Sequence, residues 1–195
     1  GHAAFSNLRK RCGALADIAI LVVNINEGFK PQTIEALEIL KSDKTPFIVA
    51  ANKVDLIHGW GQEKDKSLLE NIKDLPTNIG GEFDKKIYEL VGKLHEFGFP
   101  AERFDRVEDY TKQISIVPVS GLTGQGIPEP LMVLAGLAQK FLEKCLECDV
   151  NTFAKGTVLE VKEEKGLGTT LDVIIYNGKL KVNDTIVIGG LEKPI

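Results

Sequence analysis

The sequence has few of the features that mark several protein classes. Its three cysteines, Cys12, Cys145 and Cys148, are too few and odd in number for a disulfide framework and suit a reducing compartment. Cys145 and Cys148 have C-x-x-C spacing, but no second Cys or His pair with ligand spacing follows. No metal site is therefore expected from this chain. No apolar run approaches the roughly 20 residues needed to cross a bilayer, and no signal peptide opens the chain. A cytoplasmic protein without a membrane partner is expected. A basic excess is also missing, since Lys and Arg number 24 against 28 Asp and Glu, for a net charge of −4. That balance argues against a protein that coats DNA or RNA and leaves room for a local RNA contact, for which Arg9-Lys10-Arg11 is the best cluster. The first residue is Gly rather than Met, so further sequence upstream is expected.

What is present is enough for one domain and part of another: 195 residues, 43% hydrophobic and 27% charged. Asp17–Ile25 is a β-rich apolar run of the kind buried on both faces in a parallel sheet. Pro31 suits a first helical position, and Ile34, Leu37, Ile39 and Leu40 give that helix an apolar side through Lys41. Pro46–Ala51 reads as a second buried strand. Residues 56–80 are polar, with a short helical stretch near Ser67–Leu75. Apolar residues at 83, 87, 90, 91, 94 and 97 predict a helix ending at Gly98. Ile114–Val119 reads as a third strand, followed by a long helix with Leu131, Leu134, Ala138, Phe141 and Leu142 along one face. Strands alternating with helices predict a doubly wound α/β domain over residues 1–148.

Residues 149–155 read as a linker, after which the period changes. Short strands are expected at 156–161, 169–176 and 185–188, with turns at Lys165–Gly168 and Asn177-Gly178. This is the start of a β-barrel, and residues 156–195 hold too few strands to close it.

The chemistry concentrates at two strand ends. Asn52-Lys53-Val54-Asp55 follows a buried strand at the carboxyl edge, where ligands of open α/β sheets bind. The Asp55 carboxylate can accept two parallel hydrogen bonds from the ring N–H and exocyclic amine of guanine, a pair that adenine does not present. Asn52 can address the other edge of the base and the stem of Lys53 can cover its face. The plainer alternative is a polar strand-to-helix turn with an Asx cap. Ser120-Gly121-Leu122 ends the next strand, and the backbone N–H of Gly121 is the candidate donor to the base carbonyl. Taken alone, the tripeptide is an ordinary glycine turn. Gly1-His2 is likewise weak alone, although a His can orient an attacking water and a Gly N–H can hold a phosphate.

Together these segments carry a resemblance. Gly1-His2, Leu8–Arg11, Ala16-Asp17, Asn26–Thr33, Asn52–Asp55 and His58-Gly59-Trp60 resemble the GTPase domain of translation initiation factor five-B. That factor is the archaeal and eukaryotic counterpart of bacterial initiation factor two. Tyr88–His95, Arg103–Arg106, Gly156–Lys162 and Gly166–Gly168 extend the match over nearly the whole chain. The resemblance implies a P-loop GTPase-type fold and a GTP/GDP ligand with Mg²⁺. His2 would position water, Gly1 would contact the nucleotide, and Asn52, Lys53, Asp55, Ser120, Gly121 and Leu122 would read guanine. It also implies a factor that joins ribosomal subunits around initiator tRNA and hydrolyses GTP on the large subunit. Large-subunit RNA would be met by the GTPase domain, small-subunit RNA by the β-barrel, and the tRNA by domains outside this chain. Arg9-Lys10-Arg11 would lie on the helix after the catalytic loop.

The departures matter as much. No G-x-x-x-x-G-K-[ST] loop occurs in these 195 residues, and no Asp precedes Gly1. The phosphate and magnesium ligands are thus expected outside this chain, which would be inactive alone. Asn24 stands where the family usually has Asp, and Gly121 where it usually has Ala. Two other readings stay open on the residues: a ribosome- or RNA-binding module with a vestigial nucleotide site, and a metabolic α/β domain with a fortuitous tetrad.

Overall fold

Strands form where apolar and β-branched residues run unbroken, and the computed structural model, which describes residues 16–61, 66–142 and 151–188, places three of them as the sequence predicts. These are β1 (Ala19–Asn24), β2 (Phe47–Asn52) and β4 (Ile114–Pro118), with β3 (Ala101–Arg103) between the last two in chain order. All pairings are parallel, in the order β1-β2-β4-β3. The chain divides into two compact units, Gly1–Glu143 and Lys144–Ile195.

In the first unit the side-chain alternation of β2 builds two cores. Phe47, Val49 and Ala51 face one way and pack with Leu37 and Leu40 of α1 (Pro31–Asp43). On the same side lie Phe83, Ile87, Leu90 and Leu94 of α3 (Thr77–Glu96). Ile48 and Ala50 face the other way, against Leu68 of α2 (Leu68–Lys73) and Val133 and Leu137 of α4 (Pro128–Leu142). Fully burying each large side chain contributes about 1.5–3 kcal/mol, which makes β2 the rigid spine of the unit. Helices on both faces of a parallel sheet give the α/β class that the alternation predicts.

The structure departs from the sequence expectations at four places. β1 is not buried on both faces: Leu21 and Val23 are, while Ile20 and Val22 are 45% and 58% exposed. Register explains the difference. Ile20 and Val22 share the face of Ile48 and Ala50, and none of the described helices on that face reaches β1, the edge strand. Helix α3 begins at Thr77, six residues ahead of the apolar stripe, because its first turns carry Thr77, Asn78, Gly80 and Gly81 after Pro76. Those residues bury nothing and so leave no periodic signal.

Strand β3 gave no signal because its buried third residue is charged. Arg103 is 6% exposed and donates to Asp105 at 2.6 Å and Asp84 at 3.0 Å, with its guanidinium 5.8 Å from the Phe83 ring. The hydrogen bond to Asp105 outweighs burial and holds the guanidinium above its ordinary pKa. Burial pushes the Asp105 carboxyl up, but Arg103 overrides it and the net shift is downward. A depressed carboxylate stabilises the fold above its unfolded pKa and loses that contribution as pH falls through the folded one.

The second unit is a hairpin of β5 (Lys155–Glu164) and β6 (Gly168–Asn177), paired antiparallel across the glycine-containing turn that the sequence predicts. Lys162 reaches across the strands to Asp172 at 2.5 Å and along its own strand to Glu160 at 3.2 Å. Thr185–Ile188, expected as a strand, is coil. β-propensity needs a pairing partner to become a strand, and among the described residues no strand pairs with this segment.

Candidate functional site

The site is built where β2 ends. Asn52 closes the strand, Lys53 turns into the left-handed region at φ 69°, and a 3-10 turn over Val54–Leu56 carries Asp55. A non-glycine residue in that conformation costs about 1–2 kcal/mol, so the turn needs support. Asn26 gives it, donating its side-chain amide to the Lys53 carbonyl at 3.0 Å. Asn26 is in turn fixed by its own N–H donating to the Asn24 side chain at 3.0 Å, and Asn24 donates to Glu27 at 2.6 Å. Glu27 pairs with Lys30 at 3.0 Å, and that hydrogen bond, ahead of the charge of the lysine and of Lys53, lowers its pKa. The Asn24–Gly28 turn at the end of β1 therefore shapes the tetrad at the end of β2.

The neighbouring strand brings the second loop. Val119 N–H donates to the Ala51 carbonyl at 2.9 Å, and Val54 N–H to the Val119 carbonyl at 3.3 Å. Ser120 is fully buried. Its hydroxyl donates a very short hydrogen bond to Asp55 Oδ1 and accepts from Thr123 N–H at 3.1 Å. Asn52 Oδ1 accepts from Lys53 N–H at 2.7 Å and from Gly121 N–H at 2.9 Å. Asn52, Lys53, Asp55, Ser120 and Gly121 thus form one interlocked edge, with Leu122 86% exposed beside it.

The Gly121 N–H, the candidate donor to the base carbonyl, donates here to Asn52 Oδ1. Among the described residues, Asn52 Nδ2, Leu122 N–H and Asp55 Oδ2 are left without partners. Two donors beside a carboxylate suit a planar ring that offers acceptors on one edge and adjacent N–H groups on the next.

Sequence reasoning missed Asn26, and it missed a contact behind the loops. Trp60 Nε1 donates to Gln125 Oε1 at 2.7 Å, and the Gln125 carbonyl accepts from Ser120 N–H at 2.8 Å. Asn26 had a signal, a turn-forming Asn-Glu-Gly directly after a strand. Gln125 had none, because a buried glutamine looks like any polar loop residue in sequence. Gly1, His2, Arg9-Lys10-Arg11, Cys12, Cys145 and Cys148 lie outside the described residues. Among the described residues no cluster of three His, Cys, Asp or Glu side chains could hold a metal ion.

Comparison with known proteins matches residues 1–174 to the model of the elongation factor Tu GTP binding domain. The chain is 56% identical over 194 residues to the probable translation initiation factor IF-2 of Methanocella arvoryzae, covering 100% of this chain and 33% of that protein. It is 57% identical over 195 residues to the protein of the same name from Thermococcus kodakarensis, covering 100% and 17%. Among solved structures, GDP-bound aIF5B from Aeropyrum pernix superposes with a TM-score of 0.87 at 53% identity, covering 100% of this chain and 32% of that one. The chain spans a third or less of the length of these relatives. It belongs to the family of the elongation factor Tu GTP binding domain, and within it stands with the translation initiation factors named IF-2 and aIF5B.

Proposed function

We propose that this chain is the guanine-reading part of a translation-initiation GTPase that promotes ribosomal subunit joining. The observation that carries the reading is the interlock of two loops, in which Ser120 and Gly121 hold Asp55 and Asn52 at adjacent strand ends. In this reading Asp55 accepts the ring N–H and exocyclic amine of guanine. Asn52 Nδ2 and Leu122 N–H donate to its acceptor edge, and the exposed stem of Lys53 covers its face. Adenine would place an acceptor against Asp55 and leave a charge unpaired, which makes the discrimination steep. The donor set fits the base.

The phosphates and Mg²⁺ fall to residues outside the described site, since no G-x-x-x-x-G-K-[ST] segment occurs in the sequence. When bound, GTP supplies the phosphoanhydride bond that is hydrolysed, and His2 beside Gly1 is the residue assigned to orient water. Residues 149–155 are read as a linker and 156–195 as the opening strands of a β-barrel that meets small-subunit RNA. Exposure of Val173 and Ile175 on one face of β6 supports a sheet face that closure into a barrel would cover. Large-subunit RNA is assigned to the first unit and initiator tRNA to other parts of the whole protein, in the cytoplasm. The similarity to initiation factors over the full chain supports these assignments.

Purified residues 1–195 are expected to release phosphate from GTP no faster than a blank, with or without ribosomes. Joined to a segment that carries a G-x-x-x-x-G-K-[ST] loop, the same chain is expected to hydrolyse GTP in a ribosome-stimulated manner. Turnover by the chain alone, or none by the joined protein, would contradict the reading.

A further inference from the structure

The tetrad and the serine loop meet through Val54, Asp55 and Asn52, and a further contact ties the serine loop from behind. Gln125 is 94% buried, being 6% exposed, and its two amide ends have different fates. Oε1 accepts from Trp60 Nε1 at 2.7 Å, whereas Nε2 is buried and has no partner among the described residues. The indole N–H can only donate, which sets the amide orientation. An unpaired buried amide nitrogen is a cost that Leu or Met at this position would avoid. The side chain is therefore explained by what its oxygen does.

That oxygen ties two segments. Gln125 receives Ser120 N–H at its own carbonyl, at 2.8 Å, and Ser120 returns its carbonyl to Gly124 N–H at 2.9 Å. Trp60 ends the segment after the tetrad, where its N–H donates to the Ile57 carbonyl at 3.0 Å and its ring packs 5.2 Å from the Phe83 ring of α3. The chain of contacts runs from the α3 core through Trp60 and Gln125 to Ser120 and on to the Asp55 carboxylate. We infer that Trp60 and Gln125 are positioning residues for base recognition, setting the angle at which Asp55 meets the two N–H groups of guanine. The inference rests on the guanine-reading assignment of Asp55.

Trp60 is the sole tryptophan in the chain, so its indole N–H gives one resonance in a ¹⁵N spectrum. The test titrates the 195-residue chain with GMP and with IMP, which lacks the exocyclic amine. The unmodified chain is expected to prefer GMP about tenfold, matching one lost hydrogen bond to a charged group, and the indole resonance should move with GMP but not with AMP. Trp60→Phe keeps the ring and removes the donor, and Gln125→Met keeps the bulk and removes the acceptor. Each should weaken GMP binding about tenfold and bring the GMP-to-IMP ratio near one, and the double variant should lose no more than either single. A merely structural role would weaken both nucleotides equally and leave the ratio intact. If the ratio survives both substitutions while Asp55→Asn abolishes it, or the indole resonance is stationary at saturating GMP, the inference is overturned and the base-reading assignment stands. If the unmodified chain shows no GMP preference over IMP, both fall.

Discussion

Asp55→Asn is expected to exchange the base preference of the site from guanine to xanthine. In the unmodified site the carboxylate accepts from both the ring N–H and the exocyclic amine, with Ser120 Oγ steadying Oδ1. Xanthine replaces that amine with a carbonyl, which would face a carboxylate oxygen and be repelled. The substituted amide keeps an oxygen for Ser120 and for the ring N–H, and turns a donor toward the new carbonyl. A site whose buried polar group loses its partner typically discriminates by several orders of magnitude, so a swing of about a thousandfold in the GTP-to-XTP ratio is expected. The measurement is competitive titration of the joined protein, where phosphate contacts bring affinity into a convenient range. A variant that still prefers GTP as strongly as the unmodified protein would show that Asp55 does not read the base.

Gly126→Ala is expected to be the most damaging small substitution near the site. Gly126 sits at φ 70°, and a Cβ there would press into the backbone carbonyl oxygen of Pro118 and come within 3.2 Å of Leu68 Cδ2. The left-handed backbone alone costs an alanine about 1 kcal/mol, and the clash involves backbone at the end of β4 that cannot rotate away. A total near 3 kcal/mol would lower the melting temperature by roughly 10 °C for a unit of this size. Because Pro118 lies two residues before Ser120, the same shift should loosen the serine loop. Gly124→Ala is the control, since Gly124 has φ 81° with no neighbour for a Cβ; it should cost about 1 kcal/mol. Melting curves for Gly126→Ala within 2 °C of the unmodified chain would contradict this account.

What could be seen in the sequence followed the strength of each local signal. β2 was legible because five successive residues, Phe47–Ala51, are buried and apolar, and its end located the tetrad. α1 announced itself through Pro31 at its first position. β3 was hidden because Arg103 solves its burial by ion pairing, which no periodicity reveals. Half of β1 looked buried because an apolar run cannot say which face will be covered. At the site the sequence points to Asn52 and Asp55, which the proposal sets against the base, and to Ser120, whose hydroxyl steadies Asp55. It missed the groups that hold them, Asn26, Trp60 and Gln125, because their partners lie 27 and 65 residues away in sequence. The sequence also could not show that Asn52 Oδ1 competes with the base for the Gly121 N–H. Such competition between a ligand and the protein's own acceptors appears only once the two loops are side by side.

In the proposed function the edge formed by Asn52, Asp55 and the Ser120 loop selects guanine. The most direct measurement is titration of the ¹⁵N-labelled 195-residue chain with GMP and, separately, AMP. Without phosphate-gripping residues, binding is expected to be weak, with Kd about millimolar, roughly 4 kcal/mol of affinity. GMP should move the amide resonances of Asn52, Asp55, Ser120, Gly121 and Leu122, saturably and together, while AMP leaves them in place. Equal shifts with both nucleotides, or GMP shifts confined to residues away from these two loops, would contradict the account.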